Sequence, residues 1–211
     1  MHKKQRTVRN SKSCNGIGLH TGVESTITFH PAPEDYGIRF MRSDIKNSPE
    51  IKADIDHVVD ISRGTTIEEK NVRIHTVEHA LAAVTGLQID NVLIELNSKE
   101  PPVMDGSAKD FVNALLDAGP IFQNKKRKVL VIDRAVNYTD YYRDIDIHVI
   151  PSDRFRVTFL VEYPLPALGT QYEAIYNMEE DFAVEVLSLI HISEPTRRTP
   201  LSYAVFSLKK K

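Results

Sequence analysis

Apolar and polar positions along the chain repeat with two different periods, and the first to appear is that of strands. "ESTITFH" at 24–30 and "GIRFMRS" at 37–43 read as two strands, and the turn-rich "PAPEDYG" between them predicts antiparallel neighbours. "EIKADIDHVVDISRGTTIEEK" follows as mixed strand and loop, with the polar "SRGTT" at 62–66 on the surface. The period then changes. Val77, Leu81 and Val84 recur at helical spacing with Ala80, Ala82 and Ala83 between them, predicting a helix from Ile74 to Thr85 that Gly86 ends. "DNVLIELN" is a strand rich in branched residues, and "PPVMDGS" a stiff loop. A second helix, "AKDFVNALLDAG", starts near Ser107, a good N-cap, and stops at Gly119.

Strands followed by two helices predict an α+β layered domain over residues 1–123. The basic "NKKRK" at 124–128 reads as a linker to a second domain over 129–187. There "KVLVIDRAVNYT", "DIDIHVIPS" and "RFRVTFLVEYP" are strand candidates, the middle one alternating Ile145, Ile147 and Val149 against Asp146 and His148. "GTQYEAIYN" is a fourth, and "MEEDFAVEVL" begins a helix with acidic residues in its first turn. The second half thus restarts the strand-then-helix order of the first, without a residue-level repeat.

Composition narrows the function classes. With 211 residues, 41% hydrophobic and 27% charged, the chain is long enough for a sizeable core and belongs to no collagenous, disordered or disulfide-rich class. A formal net charge of -2 supplies no reason to expect nucleic acid or an anionic membrane as the main partner. Cys14, the one cysteine, cannot form an internal disulfide, which fits a reducing compartment. No signal-type or membrane-spanning apolar run occurs, so a cytoplasmic protein is expected.

The chemistry concentrates in "NVRIHTVEHALAAVTG" at 71–86. On a continuous helix His75 and His79 would share one face, a spacing at which two imidazoles hold one zinc ion. Glu78 would stand about 100° round from His79, where a carboxylate can serve as base beside a metal-bound water. The pattern also fits a helix with two half-exposed histidines, and it matches the His-x-x-Glu-His signature of inverted zinc peptidases. Elsewhere "NGIGLHTG" places His20 between glycines, and Asp105 with Gly106 forms a turn before the second helix.

Taken in order, "GIGLHTG", "RGTT", "HTVEHALAA", "GLQIDNVLIEL" and "PPVMDGSAKDFV" resemble the N-terminal half of the zinc-dependent UDP-3-O-acyl-N-acetylglucosamine deacetylases, and "VEYPLPALGTQ" extends the likeness over residues 5–187. The resemblance implies two similar sheet-plus-helix domains, Zn2+ as cofactor, and a small-molecule UDP-sugar substrate that loses its N-acetyl group early in lipid A synthesis in Gram-negative bacteria. It makes His79 a zinc ligand and Glu78 the general base, with His75 no ligand. His20 corresponds to a histidine near the metal, and Thr65 and Asp105 to positions that shape the site. In some relatives a hydroxyacyl-carrier-protein dehydratase is fused downstream.

The family draws its remaining zinc ligands from a His-Lys-x-x-x-Asp-like helix, and no such pattern occurs in this sequence. From Ser188 the chain resembles translated sequencing adapter instead, and Pro195 and Pro200 interrupt any helix there. The expectation is therefore an N-terminal fragment, inactive alone, with a foreign tail over 188–211.

Overall fold

The computed structural model describes residues 4–153, 155–162, 169–177 and 182. It divides into two compact units whose boundary in the sequence falls between Arg127 and Lys128. The described elements are strands, two α-helices and one short 3-10 helix (Ile55–His57), a mixed α+β class as expected.

In the first unit, β1 (Lys4–Val8) precedes β2 (Lys12–Ile17), β3 (Glu24–Pro31), β4 (Ile38–Arg42) and β5 (Ile51–Lys52). A small antiparallel sheet of β6 (Val58–Asp60), β7 (Thr66–Glu69) and β8 (Val72–Ile74) follows. Then come helix α1 (Glu78–Gly86), strand β9 (Val92–Leu96), helix α2 (Lys109–Ala118) and strand β10 (Pro120–Lys126).

The main sheet has the order β2–β3–β9–β4–β5. β3 and β4 are therefore not the antiparallel neighbours that the turn between them predicts. β9 lies between them, antiparallel to β3 and parallel to β4. The reason is burial: Val92, Ile94 and Leu96 are all fully buried, and the middle of the sheet is where a strand finds partners on both edges. Ile94 stands opposite Phe29 on one side and Phe40 on the other, and both rings are fully buried. α2 covers this face, with Phe111 meeting Phe29 edge-on at 6.2 Å between ring centroids. It also packs against α1 and β2.

Most of the basic run at 124–128 lies in a strand, and the boundary between the units falls at its end. β10 runs through Lys126 and pairs antiparallel with β1, so residues 124–126 belong to the first unit. Two of its charges and two of its main-chain groups are matched locally. The N–H groups of Asn124 and Lys125 donate to Glu34 Oε1 at 2.6 and 2.9 Å, Lys125 Nζ pairs with Asp35 at 2.6 Å, and Arg127 pairs with Asp90 at 2.6 Å.

In the second unit, β11 (Val136–Asp140) pairs antiparallel with β12 (Ile145–Val149), and β13 (Val157–Glu162) with β14 (Thr170–Ile175). All four strand candidates are present, though the first is confined to the end of "KVLVIDRAVNYT". The helix expected from Met178, apart from Phe182, and the expected tail at 188–211 lie outside the described residues. No described helix is long and apolar enough to cross a membrane.

Candidate active site

Four connections of the first unit line one cavity of about 430 Å³: the turn after β2, the loop between β6 and β7, the segment between β8 and α1, and the chain after β9. They contribute His20 and Thr21, Ser62 to Gly64, His75 and Thr76, and Lys99 and Glu100. Arg63 and Lys99 are balanced there by Asp60 and Glu100.

The turn carrying His20 is closed by its own backbone. Gly18 N–H donates to Val23 O at 2.9 Å and Gly22 N–H to Gly18 O at 3.0 Å, with Gly22 at φ +65°. The buried carboxylate of Glu100 anchors the turn from outside: it accepts from His20 N–H at 3.1 Å and from Thr21 N–H at 2.9 Å. Gly18 has to be glycine here, since a Cβ would lie 2.6 Å from Glu100 Oε2. The His20 ring donates from Nε2 to Arg63 O at 3.1 Å, tying this turn to the 62–66 loop.

Between β8 and α1 the structure corrects the expected helix. α1 starts at Glu78, not at Ile74. Ile74 ends β8, His75 N–H donates to Lys99 O at 2.9 Å, and Thr76 takes φ +56°, a left-handed conformation that breaks a helix. Val77 N–H then donates to Thr65 O at 3.2 Å, and Val77 forms the N-cap. His75 and His79 consequently do not share a helical face, and the peptidase reading loses the geometry it requires. His75 instead bonds through Nδ1 to Thr66 Oγ1 at 3.0 Å, and burial together with the charge of Lys99 pushes its pKa below the usual imidazole value.

Glu78 opens α1 with its carboxylate turned to the 62–66 loop. Oε2 accepts from Thr65 N–H at 3.0 Å. On its other side stands Gly64, at φ +142°, where an added Cβ would lie 2.9 Å from Oε1. That loop is less exposed than its composition predicts, because Thr66 is buried and only Ser62 and Arg63 lie open. His79 is half-buried in the first turn of α1.

The other two expected positions differ. Thr65 acts through its main chain, bonding both Glu78 and Val77. Asp105 is exposed and does not line the cavity; its Oδ1 accepts from Ser107 N–H at 2.9 Å and Ser107 Oγ at 2.6 Å, building the turn before α2. The cavity thus brings together His20 and the loop that grips Glu78, along with Glu100, Gly64 and Thr76, which sequence patterning leaves unmarked.

The whole pattern has known counterparts. The description of LpxC: UDP-3-O-acyl N-acetylglycosamine deacetylase matches residues 5–188. The chain belongs to the LpxC family. It is 50% identical over 181 residues to a bifunctional enzyme LpxC/FabZ of Chlorobaculum tepidum, covering 86% of this chain and 39% of that protein. It is similar also to UDP-3-O-acyl-N-acetylglucosamine deacetylases of Myxococcus xanthus, 37% identical over 86% of this chain and 57% of that one, and of Hahella chejuensis, 38% identical over 88% and 61%. The chain thus spans only part of the length of the LpxC relatives it matches, between 39% and 61% in these three.

The LpxC family is a metalloenzyme class. A zinc centre takes about three protein donors and leaves one position open. Among the described residues no three His, Cys, Asp or Glu side chains gather in that way. His79 and Glu78 offer one imidazole and a neighbouring carboxylate, so the described residues do not fit a complete zinc site.

Proposed function

We propose that this chain is part of a zinc-dependent deacetylase that hydrolyses the N-acetyl group of UDP-3-O-acyl-N-acetylglucosamine, releasing acetate, in lipid A biosynthesis. The observation that carries the reading is the fixed carboxylate of Glu78 next to His79 at the start of α1, in a chain of the LpxC family. With Oε2 held by Thr65 N–H, Oε1 is the oxygen left to take the proton of an attacking water. A base needs that fixed orientation, because its value depends on reaching the proton at hydrogen-bond distance. His20, at the cavity and held at both its backbone and its ring, would shape the site from beside the metal.

His79 would supply one donor to zinc. Since a site of this kind takes about three, the 211-residue chain alone is expected to be inactive as a deacetylase. The reading carries with it a cytoplasmic location and a small nucleotide-linked substrate in place of a nucleic acid, in keeping with one unpaired cysteine and a net charge of -2.

The test is made in the intact enzyme. Glu78→Gln should keep the metal and lower the deacetylation rate about 10²- to 10⁴-fold, the usual contribution of a general base. His79→Ala should lower zinc content, while His75→Ala leaves it unchanged. A Glu78→Gln enzyme that hydrolyses the acetamide at the wild-type rate overturns the assignment.

A further inference from the structure

We propose that Glu100 is a positioning residue for this reaction: its carboxylate holds the His20 turn against the Thr76 segment and so sets where His20 stands at the cavity and where α1, with Glu78, begins. The inference rests on the reading of Glu78 as the base.

Glu100 is 0% exposed, and among the described residues no Lys or Arg forms an ion pair with it. Burying a carboxylate without a cation costs several kcal/mol unless other donors replace water. Here the donors are N–H and O–H groups from two distant segments. His20 N–H lies 3.2 and 3.1 Å from the two oxygens, Thr21 N–H donates to Oε2 at 2.9 Å, and Thr76 Oγ1 donates to Oε1 at 2.9 Å. The first two lie 80 and 79 residues away in sequence, the third 24. The main chain of Glu100 is held as well, with Ser25 Oγ donating to its carbonyl at 2.6 Å.

Burial alone would raise the pKa of Glu100, but the bonds from Thr21, His20 and Thr76 outweigh it and leave the value below the ordinary carboxylate range. The bonds therefore favour the charged form. Peptide N–H groups converge on one carboxylate only while the turn keeps a single conformation. Thr76 is also the left-handed residue two positions before Glu78, so its hydroxyl bond fixes the point from which α1 starts. An apolar side chain of equal size would fill the space without gathering these donors.

The test compares Glu100→Gln and Thr76→Val with wild type. Amide hydrogen exchange is followed in the 211-residue chain, and kcat, KM and Tm in the intact enzyme. Glu100→Gln keeps the volume but replaces one acceptor oxygen by a donor. Exchange at His20 and Thr21 should quicken at least about 10-fold, and kcat should fall about 10- to 100-fold with KM changed less than about 3-fold, as a misplaced catalytic group produces. Thr76→Val removes one leg of the clamp without disturbing the turn, so a smaller fall in kcat and a modest loss of Tm from the one hydrogen bond removed are expected; it decides the matter if Glu100→Gln does not fold. Wild-type kcat in both variants overturns the proposal, as does unchanged exchange at His20 and Thr21. A wrong assignment of Glu78 would show separately, as an active Glu78→Gln enzyme, and leaves the exchange result unaffected.

Discussion

In the first unit Phe29, Ile94 and Phe40 stand side by side across three neighbouring strands, and all three are fully buried. In the second, Tyr138 stands opposite Ile147 across β11 and β12, and the two are 57% and 44% exposed. Both are regular ladders of aromatic and branched residues, antiparallel except where β9 meets β4 in parallel. What differs is the layer behind them. α2 covers the row in the first unit through Phe111, whereas the described strands of the second unit form two separate two-stranded ribbons. A ladder orders the backbone, but only a covered face removes apolar area from water, and two-stranded ribbons are marginal without cover. The candidate chemistry follows the same division, because His20 and Glu100 sit on connections of the first unit and Glu78 opens its helix α1.

The largest test of this contrast is stability. Phe29→Ala should cost about 3–5 kcal/mol by denaturant unfolding, as for other buried aromatic truncations. Ile147→Ala should stay within about 0.5 kcal/mol, as expected at an exposed position. Equal losses would mean that the ribbon is as well packed as the sheet. Next comes Gly64→Ala. A non-glycine residue held at φ +142° and crowding Glu78 should cost on the order of 1–3 kcal/mol, visible as a lower Tm together with a lower deacetylation rate in the intact enzyme. The same change at Gly169, in the second unit at φ +57° with open space around it, should affect Tm only.

The smallest effect concerns pH. Because folding lowers the pKa of Glu100, its contribution to stability is complete above the unfolded carboxylate value, about 4.3, and is lost as pH falls through the folded value. Between pH 6 and pH 3 the Tm of the wild-type chain should therefore fall more steeply than that of Glu100→Gln. Parallel curves would mean that Glu100 is not held in its charged form.

Much of this was legible in the sequence, and the failures have physical causes. The strands at 24–30 and 37–43, the strand before "PPVMDGS" and both helices were visible because each buries one face, and burial writes itself as period. Strand order was not, since the pattern of β9 says that it is buried but not between which partners. The start of α1 was misplaced because His75, Thr76 and Val77 carry no helix breaker; the break comes from Thr65 and Lys99, which bond that backbone from other segments. At the site, Glu78, His79 and His20 were marked by chemistry and by resemblance. Glu100 was hidden: in "NSKEPP" it looks like one more solvated charge, and its donors lie up to 80 residues away.

The place of β9 in the sheet also bears on synthesis. Its partners are made long before it, with His30 bonding Glu95 across a separation of 65 residues. At about 5–20 residues per second, β3 and β4 wait several seconds after leaving the ribosome for the strand that joins them. During that interval Phe29 and Phe40 belong to two unjoined edges, a form of the chain open to chaperones and to other nascent copies. The pairing of β1 with β10, which brings Gln5 to Lys126 across 121 residues, can follow only later. The centre of the main sheet is thus filled after its flanking strands, and the earliest-made strand, β1, is among the last to be secured.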